Sequence, residues 1–204
     1  MTGTELFDFV PTLALEFPAL DLARAPWELV ARVDEAIRSL AASGALADFE
    51  ACGEDVFIHP GAVIEPGAVI RGPAVISAGC FVATTAYLRE GVILGAGARV
   101  GHAVELKSSI VCGGSALAHL SYAGNSLIGS RVNLEAGVVL ANHLNESPGA
   151  TVTVRWRALR LDTRQAKFGA LVGDGAKVGA NSVLSPGTVL EPGTVVPRLT
   201  LVSQ

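Results

Sequence analysis

Residues 56–121 repeat a six-residue pattern and read VFIHPG AVIEPG AVIRGP AVISAG CFVATT AYLREG VILGAG ARVGHA VELKSS IVCGGS ALAHLS. The third place of every hexad holds a small or branched apolar residue, from Ile58 and Ile64 through Leu106 to Cys112 and Ala118. An amphipathic helix requires a period of about 3.6 residues, and a simple strand a period of about 2. A period of six with Gly and Pro at its corners is typical of a parallel β-helix.

The residue types of the hexad follow from the geometry of one coil. Three hexads close a triangular coil of about 18 residues, and only the third-place side chain points into the narrow prism, where it stacks on its equivalents. Glycines supply corner conformations that other residues rarely adopt, and prolines pre-set φ just before them. The pattern breaks after Tyr122, resumes at Ser126 and returns at Ala170 after a second break. The sequence therefore predicts an all-β fold, a parallel β-helix of about six coils.

Two segments lie outside the repeat. Residues 1–54 contain APWELVARVDEAIRSLAASG, whose apolar residues recur at helical spacing between Pro26 and Gly44. We expect an amphipathic helix of about 17 residues that caps the open end or the side of the first coil, or else binds a partner. The β-helix would occupy residues 55–204, with an inserted loop at about 144–169 whose TVTVRWRALRL alternates like a hairpin. Loops of this length usually serve a site or an interface.

The composition excludes several classes of protein. Half of the 204 residues are hydrophobic but only 5% are aromatic, as a core of stacked Val, Ile and Leu requires. The net charge is −4 and there is no basic run, so nucleic acid is not an expected partner. No apolar stretch is long enough to span a membrane, and MTGTELFDFV lacks the parts of a signal peptide. The three cysteines, with Cys112 assigned to an inward place, indicate a reducing cytoplasm.

Four polar residues of the repeat are candidates for chemistry. His119 follows an assigned inward place and faces outward, either as a surface histidine hydrogen-bonded to a corner or as a general base. Glu105 is near enough in the repeat to orient an imidazole at that point. Arg89 and Lys107 occupy the same hexad place one coil apart, either as a two-cation clamp for a phosphate or as two solvated side chains.

A metal site is not expected. His102, His119 and His143 fall at the fifth, fourth and sixth hexad places, so we expect that their rings do not stack and do not form a three-histidine zinc site. The glycines of GVILGAGARVG fall on hexad corners and are explained by the fold rather than by a nucleotide-binding loop.

A resemblance to a known family is carried by AYLREGVILGAGARVGHAVELKSS and AHLSYAGNSLIGSRVNLEAG. These blocks resemble the acetyltransferase domain of the bifunctional glucosamine-1-phosphate acetyltransferase and N-acetylglucosamine-1-phosphate uridyltransferase. The stretch LDTRQAKFGALVGDGAKVGANSVLSPG is similar to related sugar-phosphate nucleotidyltransferases. The resemblance covers nearly the whole chain and implies a left-handed β-helix that forms a homotrimer with its site between adjacent prisms. It also implies a missing nucleotidyltransferase domain, so we expect no nucleotidyl transfer from these residues.

The resemblance implies a role for each residue that matches the family pattern. His119 would remove a proton from the attacking amine of an amino-sugar phosphate, with Glu105 and Asn142 supporting the reaction. The residues implied for phosphate and sugar binding are Arg89, Lys107, Tyr122, Asn133 and Lys167, and those implied for acetyl-CoA are Ala136 and Ala180. The expected function is an acetyl-CoA-dependent N-acetyltransferase of the cytoplasm, acting on a substrate similar to glucosamine-1-phosphate, and a separate nucleotidyltransferase is a further candidate partner.

Departures from the family pattern keep other hypotheses open. Glu135 and Val138 stand where the family has Gly and Thr near the acyl-CoA path, His143 replaces a Tyr, and the chain ends at Gln204, before the family's C-terminal tail. A second hypothesis is therefore a non-catalytic module for oligomerisation or for sensing sugar phosphates. A third keeps the acyl transfer but takes a nucleotide-linked amino sugar as acceptor.

Overall fold

The computed structural model describes residues 3–203, and from Val56 onward the chain forms a left-handed parallel β-helix, which confirms the predicted fold class. Each coil contributes one short strand to each of three faces, and strands of neighbouring coils pair in parallel. The division into residues 1–54 and 55–204 stays a prediction, and residues 1, 2 and 204 of those ranges lie outside the described residues.

Within residues 3–203 the three faces have seven strands each, one more than the roughly six coils that the sequence predicted. The first face is formed by Val56–Ile58, Ala74–Ile76, the second halves of Tyr87–Leu94 and Glu105–Val111, Leu127–Ile128, Ala170–Val172 and Thr188–Leu190. The second face is formed by Val63–Ile64, Phe81–Val82, Arg99–Val100, Ala116–Leu117, Asn133–Leu134, Lys177–Val178 and Val195–Val196. The third face is formed by Val69–Ile70, the first halves of the two long strands, Tyr122–Gly124, Val139–Leu140, Val183–Leu184 and Leu201–Val202. The last strands of the second and third faces, Val195–Val196 and Leu201–Val202, lie beyond Gly193, where the last hexad identified in the sequence ends.

The inward side chains form one continuous apolar core. From Ile58 to Leu106 every predicted third-place residue belongs to this core. First-place residues such as Ala86, Val92 and Val104 also belong to it, so the expectation that only third-place side chains point inward is wrong. Each fully buried Val, Leu or Ile of this kind contributes about 1.5–3 kcal/mol relative to an exposed one. Because every inward residue stacks on its equivalents, each outward residue also has a fixed place above and below its neighbours.

The repeat has one residue fewer at Ser108, at the corner between the third and fourth coils, and this one-residue slip changes the register of the residues that follow. Arg89 pairs with Lys107, eighteen residues later, whereas Val92 pairs with Ser109, seventeen residues later. The strand Tyr87–Leu94 therefore has one residue more at the corresponding corner than the strand beside it. Gly91 lies there at a φ of +92°, and a Cβ on it would be 2.6 Å from a side-chain carbon of the N-terminal segment.

Because of this slip, the prediction that Cys112 and Ala118 point into the core is wrong. Val111 and Leu117 point into the core instead. Cys112 is buried outside the prism, against the N-terminal segment, and Ala118 is half-buried on the surface. The corner at Ser108 has one residue fewer than the corresponding corner of the preceding coil. It lies before Tyr122, after which the sequence indicated the first break in the pattern.

The N-terminal segment is helical. A 3₁₀-helix spans Gly3–Phe9, followed by α1 (Thr12–Glu16), α2 (Pro26–Ala31) and α3 (Val33–Ala42). The single helix of about 17 residues that we expected is two helices, because Arg32 leaves the helical region with φ −123° and ψ 25°. A strand at Glu50–Gly53 then pairs antiparallel with Val56–Ile58.

The helices cover the first face along its side rather than closing an end. Apolar side chains project outward from five successive coils of this face and are buried beneath the helices: Val75, Ile93, Ile110, Leu127 and Leu171. Helix α3 contacts the strands of the second to fourth coils, and α2 those of the fourth and fifth. The segment therefore buries a row of apolar residues that would otherwise face water.

The insertion contains the predicted hairpin and packs on the same face. Thr153–Trp156 pairs antiparallel with Leu159–Asp162, which confirms the hairpin expected from the alternating pattern. Trp156 packs edge-on against Phe9 with ring centroids 5.4 Å apart, and its Nε1 donates to Glu191 Oε1 at 3.1 Å. Helices and hairpin together occupy the first face, so the second and third faces are the open ones. Within residues 3–203, every helix is too short or too polar to cross a bilayer.

The register can be tested with two adjacent substitutions. Leu117→Ala should lower the free energy of unfolding by about 2–5 kcal/mol, because it leaves a cavity in the prism. Ala118→Ser should change it by less than about 0.5 kcal/mol, because that side chain faces outward. Urea unfolding followed by circular dichroism measures both, and the reverse ranking would mean that the unslipped hexad register is correct.

Candidate functional site

The predicted site residues lie mainly at two corners of the prism. The histidine corner joins the second face to the third and passes through Thr85, Ala103, Leu120, Asn181 and Leu199, all with positive φ. The cation corner joins the third face to the first face of the next coil and passes through Glu90, Ser108 and Asn125, also with positive φ. The third face separates them by a strand of about five residues, or about 16 Å.

Arg89 and Lys107 stack at the cation corner, as the sequence predicted. Their backbones are paired in neighbouring coils. Arg89 Nε donates to Glu105 Oε1 at 2.8 Å, and Lys107 Nζ lies 3.0 Å from Glu90 Oε2. Arg89 also contacts Glu90. Burial raises the pKa of the Glu90 carboxyl, but the contacts with Lys107 and Arg89 outweigh it and hold that pKa below its usual value.

Lys167 reaches the same corner from the end of the insertion. The chain returns to the β-helix there through Phe168 N–H to Asn142 O at 2.9 Å and Gly169 N–H to Asn125 O at 3.0 Å. The Lys167 ammonium lies against that of Lys107, whose contact and charge lower the pKa of Lys167. Two ammonium groups held together in this way favour an anion between them.

Tyr122 and Asn142 complete the cluster. Their side chains are hydrogen-bonded to each other, and Asn142 Nδ2 donates to Asn125 Oδ1 at 2.7 Å. Both cross directly over Gly124, where a Cβ would lie 2.3 Å from the tyrosine oxygen and 2.5 Å from the amide nitrogen. Burial raises the pKa of Tyr122. Tyr122 also pairs in the backbone with Glu105 of the preceding coil, so the carboxylate and the phenol are neighbours.

His119 lies at the histidine corner, exposed, with His102 directly beneath it. The two ring centroids are 6.5 Å apart, and His102 Nδ1 is 2.8 Å from Thr85 Oγ1. The expectation that these two histidines do not stack is wrong, because the slip brings both to the same corner position. His143 begins the insertion and is not part of this stack. Among residues 3–203, no three His, Cys, Asp or Glu side chains are grouped to hold a metal ion.

The residues expected to bind acetyl-CoA lie at the histidine corner, in the coils that follow His119. Ala136 and Ala180 follow His119 in successive coils, linked by backbone hydrogen bonds from each corner to the next. The Ala180 N–H donates to Glu135 Oε2 at 2.9 Å, and Glu135 also pairs with Arg198 at 2.6 and 2.7 Å. Arg198 first, and then this N–H, lower the pKa of Glu135. One backbone donor on the expected acyl-CoA path is therefore occupied by the chain's own carboxylate.

One chain does not bring all the predicted residues together. Arg89, Glu105, Lys107, Tyr122, Asn142 and Lys167 meet at the cation corner. Asn133 is exposed on the second face, where its backbone pairs with Ala116 and Lys177. Within residues 3–203, no hydrogen bond or ion pair joins the side chain of His119 or Asn133 to the cation corner.

Two residues at the cation corner were not predicted. Arg71 precedes Arg89 by one coil at the same position, since its N–H donates to Leu88 O at 2.8 Å. The same eighteen-residue spacing that aligned Arg89 with Lys107 could have identified it. Glu90 has a φ of +55°, and its carboxylate lies between the cations of Arg89 and Lys107. The sequence carries no signal for this backbone conformation.

The comparisons with curated proteins identify partial relatives. The chain is 44% identical over 70 residues to the bifunctional protein GlmU of Leifsonia xyli subsp. xyli (strain CTCB07), covering 34% of this chain and 14% of that protein. It is 40% identical over 91 residues to the bifunctional protein GlmU of Jannaschia sp. (strain CCS1), covering 45% and 20%. The aligned region is thus at most about a fifth of the length of these relatives.

Solved structures share lower identity with the chain. The acetyltransferase domain of PglB from Neisseria gonorrhoeae FA1090 is 21% identical with a TM-score of 0.41, covering 81% of this chain and 64% of that one. PerB from Caulobacter crescentus, in complex with CoA and GDP-perosamine, is 20% identical with a TM-score of 0.34, covering 71% and 51%. The family model described as the GMPPB C-terminal domain matches residues 52–155, about half of the chain. The chain therefore belongs to the GMPPB C-terminal domain family.

Proposed function

We propose that the chain is an acetyl-CoA-dependent N-acetyltransferase acting on an amino-sugar phosphate, with His119 as the general base and a homotrimer as the active form. The observation that carries the proposal is the cluster at the cation corner. Arg89, Lys107 and Lys167 converge there beside Tyr122 and Asn142. Cations hold the phosphate, while the phenol is a suitable partner for a sugar hydroxyl group.

The reaction needs one proton acceptor and one polarised carbonyl. The amine of the acceptor loses a proton to the imidazole of His119 as its nitrogen attacks the thioester carbonyl. The new C–N bond forms, the C–S bond breaks, and the leaving thiolate takes up a proton to give free CoA. Donors aimed at the developing oxyanion lower the barrier, and we assign the Asn142 amide to this region.

A trimer explains why the proposed groups lie apart in one chain. His119 and the cation corner are separated by the width of the third face, about 16 Å. Both corners border open surface, because the helices and the hairpin cover only the first face. Around a three-fold axis, His119 of one prism would face Asn142 and Lys167 of the next. The residues for one reaction would then come from two chains.

A second candidate function is supported by Glu135. Its carboxylate takes the Ala180 N–H and is fixed by Arg198, which occupies part of the corner that acetyl-CoA would follow. A module that binds sugar phosphates without acyl transfer would tolerate this arrangement. A thiol-release assay with acetyl-CoA and a panel of amino-sugar phosphates separates the two candidates. Release with an acceptor supports the enzyme, and phosphate binding without release with any acceptor supports the module.

His119→Ala should reduce acetyl transfer by about 100- to 10,000-fold, the usual contribution of a general base. The variant should keep the oligomeric state of the unsubstituted chain, because the His119 side chain is exposed and makes no hydrogen bond within residues 3–203. Thiol release and size-exclusion chromatography with light scattering measure the two properties.

The matched control for this variant is His102→Ala. Its imidazole lies at the same corner one coil earlier. Turnover within about threefold of the unsubstituted chain is expected, since only His119 is assigned as the base. Unchanged turnover in His119→Ala would refute the assignment, and a loss confined to His102→Ala would transfer the role to that ring.

The binding of inorganic phosphate should weaken as pH rises through the lowered pKa of Lys167. In the free chain, Lys167 loses its proton at a lower pH than an ordinary lysine, because it lies against Lys107. A bound dianion favours the charged form again, so binding takes up a proton in the window between the lowered pKa and the ordinary lysine value of about 10.4. Isothermal titration calorimetry in that range measures the effect.

Lys167→Gln should remove this pH dependence, whereas Lys177→Gln, which changes an exposed lysine on the second face, should retain it. The same slope in Lys167→Gln and in the unsubstituted chain would show that Lys167 does not contact the anion.

A further inference from the structure

The cation corner extends one coil beyond the residues assigned to the phosphate. Arg71, Arg89 and Lys107 occupy the same position in three successive coils. Neighbouring strands lie about 4.8 Å apart, so the row is about 10 Å long. One phosphate at Lys107 and Lys167 leaves the Arg71 end of the row without a ligand.

Arg71 differs from the other two cations because no carboxylate neutralises it. Arg89 and Lys107 are paired with Glu105 and Glu90. Among residues 3–203, no Asp or Glu oxygen lies within ion-pair distance of the Arg71 guanidinium, whose recorded partner is the ring of Tyr87 at 5.8 Å. With Lys167 included, the row has four cations and the two carboxylates of Glu90 and Glu105. A recess beyond Arg71 adds Glu54, together with Asp55, which is paired with Arg38.

Tyr87 supplies an aromatic surface beside this free guanidinium. Its ring is half-buried, with the Arg89 guanidinium 5.9 Å from its centroid. A recess formed by Arg71, Gly72, Tyr87, Arg89, Glu90 and Glu105 opens at this point. An aromatic face next to cations suits a nucleobase attached to phosphate, and the carboxylates can accept hydrogen bonds from ribose hydroxyl groups.

We infer that Arg71 and Tyr87 form a subsite for the distal phosphate and the base of a nucleoside diphosphate, so that the acceptor is an amino sugar linked to a nucleoside diphosphate. This inference rests on the proposed function for the amino sugar and the acetyl transfer. Lys107 and Lys167 hold the phosphate next to the sugar, Arg89 lies between the two phosphates, and Arg71 binds the second. A phosphomonoester is too short to use both ends of the row.

The test compares the binding of inorganic phosphate, inorganic pyrophosphate, UDP and GDP to the full chain by calorimetry, with a chelator present and at fixed ionic strength. Pyrophosphate should bind at least about tenfold more tightly than phosphate, since it reaches both ends of the cation row. Arg71→Gln should remove this advantage while leaving phosphate binding unchanged.

Arg99→Gln is the matched control, because Arg99 also lies over an aromatic ring, that of Phe81 at 4.9 Å, without a carboxylate partner in the described residues. It lies on the second face and should alter neither affinity. Equal affinities for phosphate and pyrophosphate, or an equal loss of both in Arg71→Gln, would overturn the inference.

The aromatic part of the subsite is tested with Tyr87→Ala. UDP or GDP should bind more tightly than pyrophosphate to the unsubstituted chain, and Tyr87→Ala should abolish the difference. Nucleotides that bind no better than pyrophosphate would exclude the base-binding role. These binding measurements need no acetyl transfer. A pyrophosphate advantage without thiol release from acetyl-CoA, tested with UDP- and GDP-linked amino sugars as well as amino-sugar phosphates, would refute only the proposed enzyme. Thiol release without that advantage would refute only the subsite.

Discussion

The parallel pairing between successive coils is the constraint on which the rest of the molecule depends. Each inward residue must lie above its equivalent, so the outward residues are held in straight rows along the corners. A row of like side chains at about 4.8 Å spacing brings charges closer than flexible surface residues would remain. The row of Arg71, Arg89 and Lys107 exists for this reason, and the carboxylates of Glu90 and Glu105 offset its repulsion.

The register of the repeat was predictable from the sequence only as far as the six-residue spacing is unbroken. Up to Leu106 every hexad has six residues, including those whose corners at Thr85 and Ala103 lack Gly and Pro, and the third-place inward residues were identified correctly. At Ser108 the corner has one residue fewer and carries neither Gly nor Pro. Cys112 and Ala118 are small and apolar, so they fitted the wrong places without conflict. The error moved His119 by one position and concealed its stacking on His102.

The cover of the first face was only partly predictable. The helical spacing and the alternating strands were visible, but not the surface on which they pack. A weak signal was present in adjacent apolar pairs such as Val75 with Ile76 and Ile93 with Leu94, where one member has to face outward. Exposed Val63 and Val69 carry the same pattern on open faces, so the signal alone does not distinguish covered from uncovered strands.

The same geometry separates the proposed base from the proposed phosphate site and makes the trimer the central claim. Co-refolding His119→Ala chains with Lys107→Ala chains in equal amounts tests it directly through thiol release. If one site takes His119 from one chain and Lys107 from the next, each mixed trimer has one intact site in three. Random assembly then leaves about a quarter of all sites with both residues, and about that fraction of activity should return. No recovery above the two inactive variants alone would contradict a site shared between chains.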